Sequence, residues 1–143
     1  MNKKNLEEAS LRFHHIGWAV HSIDAALDSF AVLGYAPHAD SVADAGRNVR
    51  ICILESASGP RIELVEPVSA LSPISAILAK NGPQPYHACI SLLSSDFETF
   101  RGKLRKAGFL EIIPRQEAPA LEGRDVVFFY STHLGLIELV LEK

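Results

Sequence analysis

Long apolar runs, cysteines in number and an excess of one charge are all missing from this chain, and each absence removes a class of protein. The apolar stretches are short and interrupted, so none reads as the roughly 20-residue helix that crosses a bilayer. Two cysteines, Cys52 and Cys89, are too few for a disulfide framework and have no CxxC spacing for a metal. Both fall inside expected strands and read as reduced, packed thiols. A formal charge of −3 over 143 residues leaves no basic footprint for nucleic acid. The opening MNKKNLEEASLRF follows its lysines with acids instead of an apolar leader segment, so the expected address is the cytoplasm, with no membrane partner. With 48% apolar residues the chain can bury a core. Its length suits one ordinary domain, or two small modules sharing a core.

What the chain does contain is a duplication. HHIGWAV (14–20) matches YHACISL (86–92), and each is followed by a helical segment that ends in Gly plus an aromatic, Gly34-Tyr35 and Gly108-Phe109. GRNV (46–49) then matches GRDV (123–126), and RIEL (61–64) matches LIEL (136–139). Any one match is weak, but four in the same order indicate a repeated unit. Period-2 alternation predicts strands over 13–20, 35–39, 48–55 and 60–66 in the first unit, and over 86–92, 110–115, 124–131 and 135–142 in the second. Ser22 is placed to cap a helix with Ile23, Leu27 and Phe30 on one face, and Gly34 ends it. Ser95 and Glu98 have capping-box spacing ahead of a stripe of Phe97, Phe100 and Leu104. The expectation is an α+β fold of two tandem βαβββ modules, about 13–67 and 86–143. A linker of about 68–85 carries a short helix from Pro73 to Lys80.

Strand faces decide where the polar residues go. Ile16, Trp18 and Val20 share one face of the first strand, whereas His15 shares the other with Gly17 and Ala19. His87 likewise shares a face with Cys89 and Ser91. Small neighbours leave room beside both histidines. Glu63 and Glu138 sit opposite the apolar faces of their own strands. A carboxylate in such a run is costly to bury alone. If the two modules curl one eight-stranded sheet around a common centre, His15, Glu63, His87 and Glu138 converge, and the set suits a divalent ion that cancels two buried charges. A lone strand His is more often a hydrogen-bonded structural residue, and a lone strand Glu more often faces solvent. Those readings do not explain why both choices recur in register with the repeat. His14 is expected on the face opposite His15, and His21, His38 and His133 at element ends. Arg47 and Arg124, at equivalent places after tight turns, are candidates to bind a substrate carboxylate or phosphate at the cavity mouth. Asp44 reads as a turn residue or an acid behind the ligands. The run RGKLRK (101–106) reads as a solvated helix face that could also attract phosphates.

Over Phe13 to Lys143 the chain resembles the vicinal oxygen chelate superfamily, which includes glyoxalase I, methylmalonyl-CoA epimerase, extradiol dioxygenases and metal-free antibiotic-binding proteins. FHHIGWAVHSIDAALDSFAVLGY and IELVEPVSALSPISAILAKNGPQPYHACISL are similar to the epimerase-type branch, and LIELVLEK resembles the C-terminal metal strand of the superfamily. The resemblance implies a single domain whose curved eight-stranded sheet surrounds a metal cavity, with His15, Glu63, His87 and Glu138 as ligands. It does not distinguish Zn, Ni, Co, Mn and Fe. It implies proton abstraction next to a carbonyl, with Glu63 or Glu138 as the base and an acyl-CoA or other thiol adduct as substrate. Glu63 itself resembles bacterial glyoxalase I. Many of these epimerases have a Glu four residues after the second His; here it is Ser91, a candidate substrate contact. A homodimer is expected from the family. The competing functions are a glyoxalase I-like lyase and a binding protein without catalysis.

Overall fold

The structure is a computed structural model that describes residues 10–143; the stretch 1–9, on which the reading of the N-terminus rests in part, lies outside the described residues. The first half contains β1 (Arg12–Ala19), α1 (Ile23–Val32), β2 (Ala36–Pro37), β3 (Val42–Asp44), β4 (Val49–Glu55) and β5 (Arg61–Pro67). Helix α2 (Pro73–Asn81) leads to the second half: β6 (Gln84–Leu93), α3 (Phe97–Lys106), β7 (Leu110–Ala118), β8 (Arg124–Ser131) and β9 (Gly135–Glu142). The strands form one curved sheet in the order β2-β4-β5-β1-β6-β9-β8-β7, with β3 paired to β4. Among the described residues nine strands thus replace the expected eight, because the segment before the GRNV turn makes the short strand β3. The segment over 35–39 shrinks to Ala36–Pro37.

Parallel pairs β5–β1 and β6–β9 flank the antiparallel pair β1–β6. The sheet therefore reads the same from either end about the β1–β6 seam, and equivalent strands of the two halves run in opposite directions. A residue of the first half and its repeat partner consequently lie toward opposite ends of the curved interior. The seam also explains why the two modules make one core-bearing sheet: each module supplies its first strand to the other's edge.

Each half packs one helix on the convex side of the sheet. Val20, Ile23, Phe30, Leu54, Ile62 and Leu64 form a buried cluster under α1, and Leu92, Phe97, Leu104, Val127, Phe129 and Leu139 form its counterpart under α3. The Ser22 hydroxyl accepts from the Ala25 amide at 3.2 Å, as its sequence position suggests. The capping box at Ser95 and Glu98 does not form. Ser94–Asp96 instead make a 3₁₀ turn into α3, and the Asp96 carboxylate accepts from the Ser10 hydroxyl at 2.8 Å. On the concave side Ala19, Val49, Ile51 and Val65 pack with Ile74 and Leu78 of α2, while Cys89, Ala118, Leu121, Val126, Phe128 and Val140 form a second group. A 3₁₀ turn at Pro119–Leu121 reaches across to β3 and β4, so the two flanks of the sheet approach each other around the interior. Among the described residues, no helix is long and apolar enough to cross a membrane.

Candidate metal centre

The four central strands bring the four candidate ligands together through their register. Gly17 of β1 lies opposite Glu63 of β5 on one side and His87 of β6 on the other. Cys89 of β6 lies opposite His15 of β1 and Glu138 of β9. Gly17 and Cys89 are themselves repeat partners, so the two-fold pattern of the sequence becomes a two-fold arrangement of ligands around small residues. The smallness is required: a Cβ on Gly17 would fall 2.0 Å from the His87 ring.

The side-chain atoms converge closely. His15 Nε2 lies 3.2 Å from His87 Nε2, 3.2 Å from Glu63 Oε2 and 3.0 Å from Glu138 Oε1. His87 Nε2 lies 3.3 Å from Glu138 Oε1 and 3.7 Å from Glu63 Oε1. All four residues are buried. Among the described residues His87 Nδ1 and both Glu138 oxygens have no aligned hydrogen bond, although the Glu138 contacts are short. Orphaned buried acceptors of this kind call for a further group. Donor atoms bound to one ion at about 2.0–2.2 Å lie roughly 3 Å apart, which is the spacing found, and one ligand atom from each residue fits within a 4.8 Å cluster. Two imidazoles with two carboxylates therefore fit a divalent cation.

The electrostatics separate the two carboxylates. Burial, together with the Glu138 charge, raises the Glu63 carboxyl against the pull of His15. Burial also pushes Glu138 up, but the His15 and His87 ring nitrogens outweigh it and hold that carboxyl well below its usual range. His15 is raised overall: burial pulls it down, and Glu63 and Glu138 more than compensate.

His14 is not on the opposite face from His15, as strict alternation predicts. Phe13 pairs with Ile90 and His15 with Cys89, leaving His14 as the extra residue of a β-bulge. A bulge lets consecutive side chains share a side of the sheet, and His14 Nδ1 lies 2.8 Å from His15 Nδ1. Burial first, then the charges of His15 and Arg124, lower His14 to a pKa of about 4. His21 stands at a strand-to-helix junction and His38 beyond β2, away from the cluster.

The two arginines do not share a mouth. Arg47 lines a cavity of about 450 Å³ with Glu63, Val49, Tyr86 and Phe128. Its Nε lies 2.7 Å from Asp44 Oδ2, its Nη1 3.6 Å from Glu138 Oε2, and its guanidinium carbon 6.0 Å from the Phe128 ring centre. Asp44 thus anchors Arg47 as well as shaping its turn. Arg124 and Ser91 instead line a second cavity of about 410 Å³ with His14, Arg12 and Arg61. There Arg124 pairs with Glu142 and donates to the Leu121 carbonyl, and the Ser91 hydroxyl donates to the Arg12 carbonyl at 3.4 Å. The reversal of equivalent strands is the cause: β4 and β8 present their N-terminal ends at opposite ends of the interior. Arg101 and Arg105 face Glu98 and Glu111 on the outer surface of α3, so that basic run belongs to a solvated face remote from the cluster. Tyr86 and Phe128, which close edge-on around the His87 ring at 4.5 and 5.6 Å between centres, had no polar signature in the sequence, although Tyr86 is the repeat partner of His14.

Residues 14–128 match the family described as the Glyoxalase/Bleomycin resistance protein/Dioxygenase superfamily. The chain belongs to this superfamily. No curated protein matches the chain. Among solved structures of the superfamily fold, a hypothetical protein from Bacillus halodurans C-125 is 28% identical, with 94% of this chain and 96% of that chain covered and a TM-score of 0.79. Methylmalonyl-CoA epimerase from Mycobacterium tuberculosis is 22% identical, with 92% and 87% covered and a TM-score of 0.78. A variant of Streptomyces coelicolor methylmalonyl-CoA epimerase in complex with 2-nitronate-propionyl-CoA is 26% identical, with 92% and 94% covered and a TM-score of 0.74. Members of the superfamily commonly hold a divalent metal, and this chain places two histidines and two glutamates where they could hold one.

Proposed function

We propose that this chain is a metal-dependent isomerase that takes a proton from the carbon beside a carbonyl. The proposed substrate class is an acyl thioester bearing a carboxylate, and methylmalonyl-CoA is the compound to test first. The carrying observation is the convergence of His15, Glu63, His87 and Glu138, a cluster whose Glu63 lines the cavity that also holds Arg47. The likeness to epimerases supports the substrate class. His15, Glu63, His87 and Glu138 are proposed as the ligands of one divalent ion, which when bound would polarise the substrate carbonyl and stabilise negative charge on its oxygen. A homodimer is the proposed assembly and the cytoplasm the proposed location.

The chain's own residues divide the work. Glu63 lines the cavity, whereas Glu138 is wholly enclosed; Glu63 is therefore the carboxylate positioned to take the proton, leaving the C–H electron pair in the enolate. Return of a proton to the same face regenerates substrate, and to the other face gives the epimer. Arg47, held by Asp44 against the cavity wall, binds the substrate carboxylate. Val49, Ile51, Ile74 and Phe128 exclude water around the acyl group.

Solvent-deuterium incorporation into methylmalonyl-CoA, in the presence of added divalent metal, tests the proposal. Wild-type protein should exchange the α-hydrogen, and Glu63→Gln should slow exchange by about 100-fold or more, the usual contribution of a general base. Absence of exchange by the metal-loaded wild-type protein rejects the epimerase reading. A second reading, a glyoxalase I-like lyase, is favoured by Glu63, the carboxylate that resembles bacterial glyoxalase I at this position; turnover of a methylglyoxal–glutathione hemithioacetal without thioester exchange would select it. Metal binding and exchange both absent would select a sequestering protein.

A further inference from the structure

We propose that His14 is a positioning residue for the metal centre: it accepts the Nδ1–H of His15 and so fixes the tautomer whose Nε2 is free for a divalent cation. The inference rests on the metal reading above and adds a residue and a switch to it.

The two Nδ1 atoms are 2.8 Å apart and buried. At that separation one carries a proton and the other does not, because two N–H groups cannot face each other so closely. The partner of each remaining nitrogen decides which one it is. Without an ion, and at a pH where the His15 ring is neutral, its Nε2–H faces Glu138 Oε1 at 3.0 Å. His15 Nδ1 is then the acceptor, His14 Nδ1–H the donor, and His14 Nε2 is left to the guanidinium Nη2 of Arg124 at 3.5 Å. An ion on His15 Nε2 forces the neutral ring to carry its proton on Nδ1. The bond between the two rings must then reverse, with His14 accepting at Nδ1 and carrying its own proton on Nε2, and the Arg124 guanidinium, itself only a donor, must turn away from that nitrogen to its Glu142 partner. Occupancy of the metal centre is thereby written into the tautomer of a residue that does not bind the metal.

The second half of the molecule has no such device. The repeat partner of His14 is Tyr86, whose phenol ring offers no ring nitrogen, and among the described residues His87 Nδ1 has no hydrogen-bond partner. His87 is held by packing against Tyr86, Phe128 and Gly17, and His15 by a hydrogen bond. The bulge at His14 is what permits this, since a regular strand would turn that ring to the convex side. Outer partners that orient a ligating histidine typically contribute about 10–100-fold to metal affinity.

The test uses the intact protein labelled with ¹⁵N in its histidines and titrated with Zn²⁺ at a pH high enough that metal-free His15 is neutral, with affinity measured by chelator competition. Zinc should move the Nε2 resonances of His15 and His87, and at the same time His14 should change from the Nδ1–H to the Nε2–H tautomer. His14→Leu should weaken zinc binding by about 10–100-fold, and His14→Asn, whose amide oxygen can accept in place of Nδ1, should recover most of it. If His15 and His87 respond to zinc while His14 keeps its Nδ1 proton, the inference is overturned and the metal reading stands. The same follows if the Leu variant binds within twofold of wild type, or if Asn is as weak as Leu. If wild-type protein binds no zinc, both fall. Should either variant fail to fold, the tautomer measurement on the unaltered chain still decides.

Discussion

At the scale of single residues, Gly17 shows how a site is built from what is left out. The His87 ring occupies the space where a Cβ on Gly17 would sit, so Gly17→Ala must displace that ring from the cluster. The expected outcome is at least a tenfold loss of metal affinity, on the order of removing a partner that orients a ligand, with a fold that far-ultraviolet circular dichroism shows to be retained; unchanged affinity would contradict the geometry. The sequence already marked Gly17 as small and on the His15 face. It could not show that the ring filling the gap comes from the other module. Glu63 and Glu138 were equally legible as paired, costly choices. Their division into a cavity-facing carboxylate and an enclosed one depends on which wall is open, a property of the assembled interior.

Among the elements, the helix starts offer a contrast between two serines with similar sequence credentials. Ser22 accepts from the Ala25 amide, whereas Ser95 is exposed at a 3₁₀ turn that supplies backbone bonds instead. Ser22→Ala should therefore cost about 1 kcal/mol of stability, the typical value of a lost N-cap, and Ser95→Ala should cost close to nothing. Denaturant midpoints at unchanged slope measure both, and equal effects would refute the assignment. Strand β1 carries a similar lesson. Alternation predicted the faces of Ile16, Trp18 and His15, and failed at His14 because one extra residue in the pairing resets the phase. Bulges follow from the partner strand as much as from the strand itself, so the sequence of β1 alone does not contain this one.

For the whole molecule, the cluster ties stability to pH and to metal. The folded-state pKa of His15 is raised above its ordinary 6.5, so the stability it contributes is complete below that value and is lost as pH rises through the folded pKa. The raised Glu63 acts in the same direction, because its ionisation in the folded state is disfavoured. Glu138 is depressed and acts oppositely: its contribution is present above its ordinary 4.5 and disappears as acid protonates it. The lowered His14 likewise favours folding more as pH rises from about 4 to 6.5, opposing Glu63 there, below the range in which His15 acts. The metal-free protein is thus expected to lose thermal stability as pH is raised above about 6.5, and to lose it again in strong acid. A divalent ion should remove the loss on the neutral-to-alkaline side by replacing the protons that the cluster otherwise needs. Calorimetric melting across pH, with and without metal after chelator treatment, checks this; a metal-free protein that becomes more stable from pH 6.5 to 8 would refute it.

Local patterns in the chain determined most of the elements, the duplication and the identity of four ligand-type residues, because alternation, caps and repeats are written in neighbouring positions. The tertiary structure alone decided how the two halves face each other. By joining β1 to β6 in antiparallel fashion, it brought His15, Glu63, His87 and Glu138 to one point while sending Arg47 and Arg124 to separate cavities. Both consequences have the same physical reason: a two-fold relation gathers residues near its axis and parts those far from it, and no local pattern records the distance of a residue from an axis that exists only once the sheet has closed.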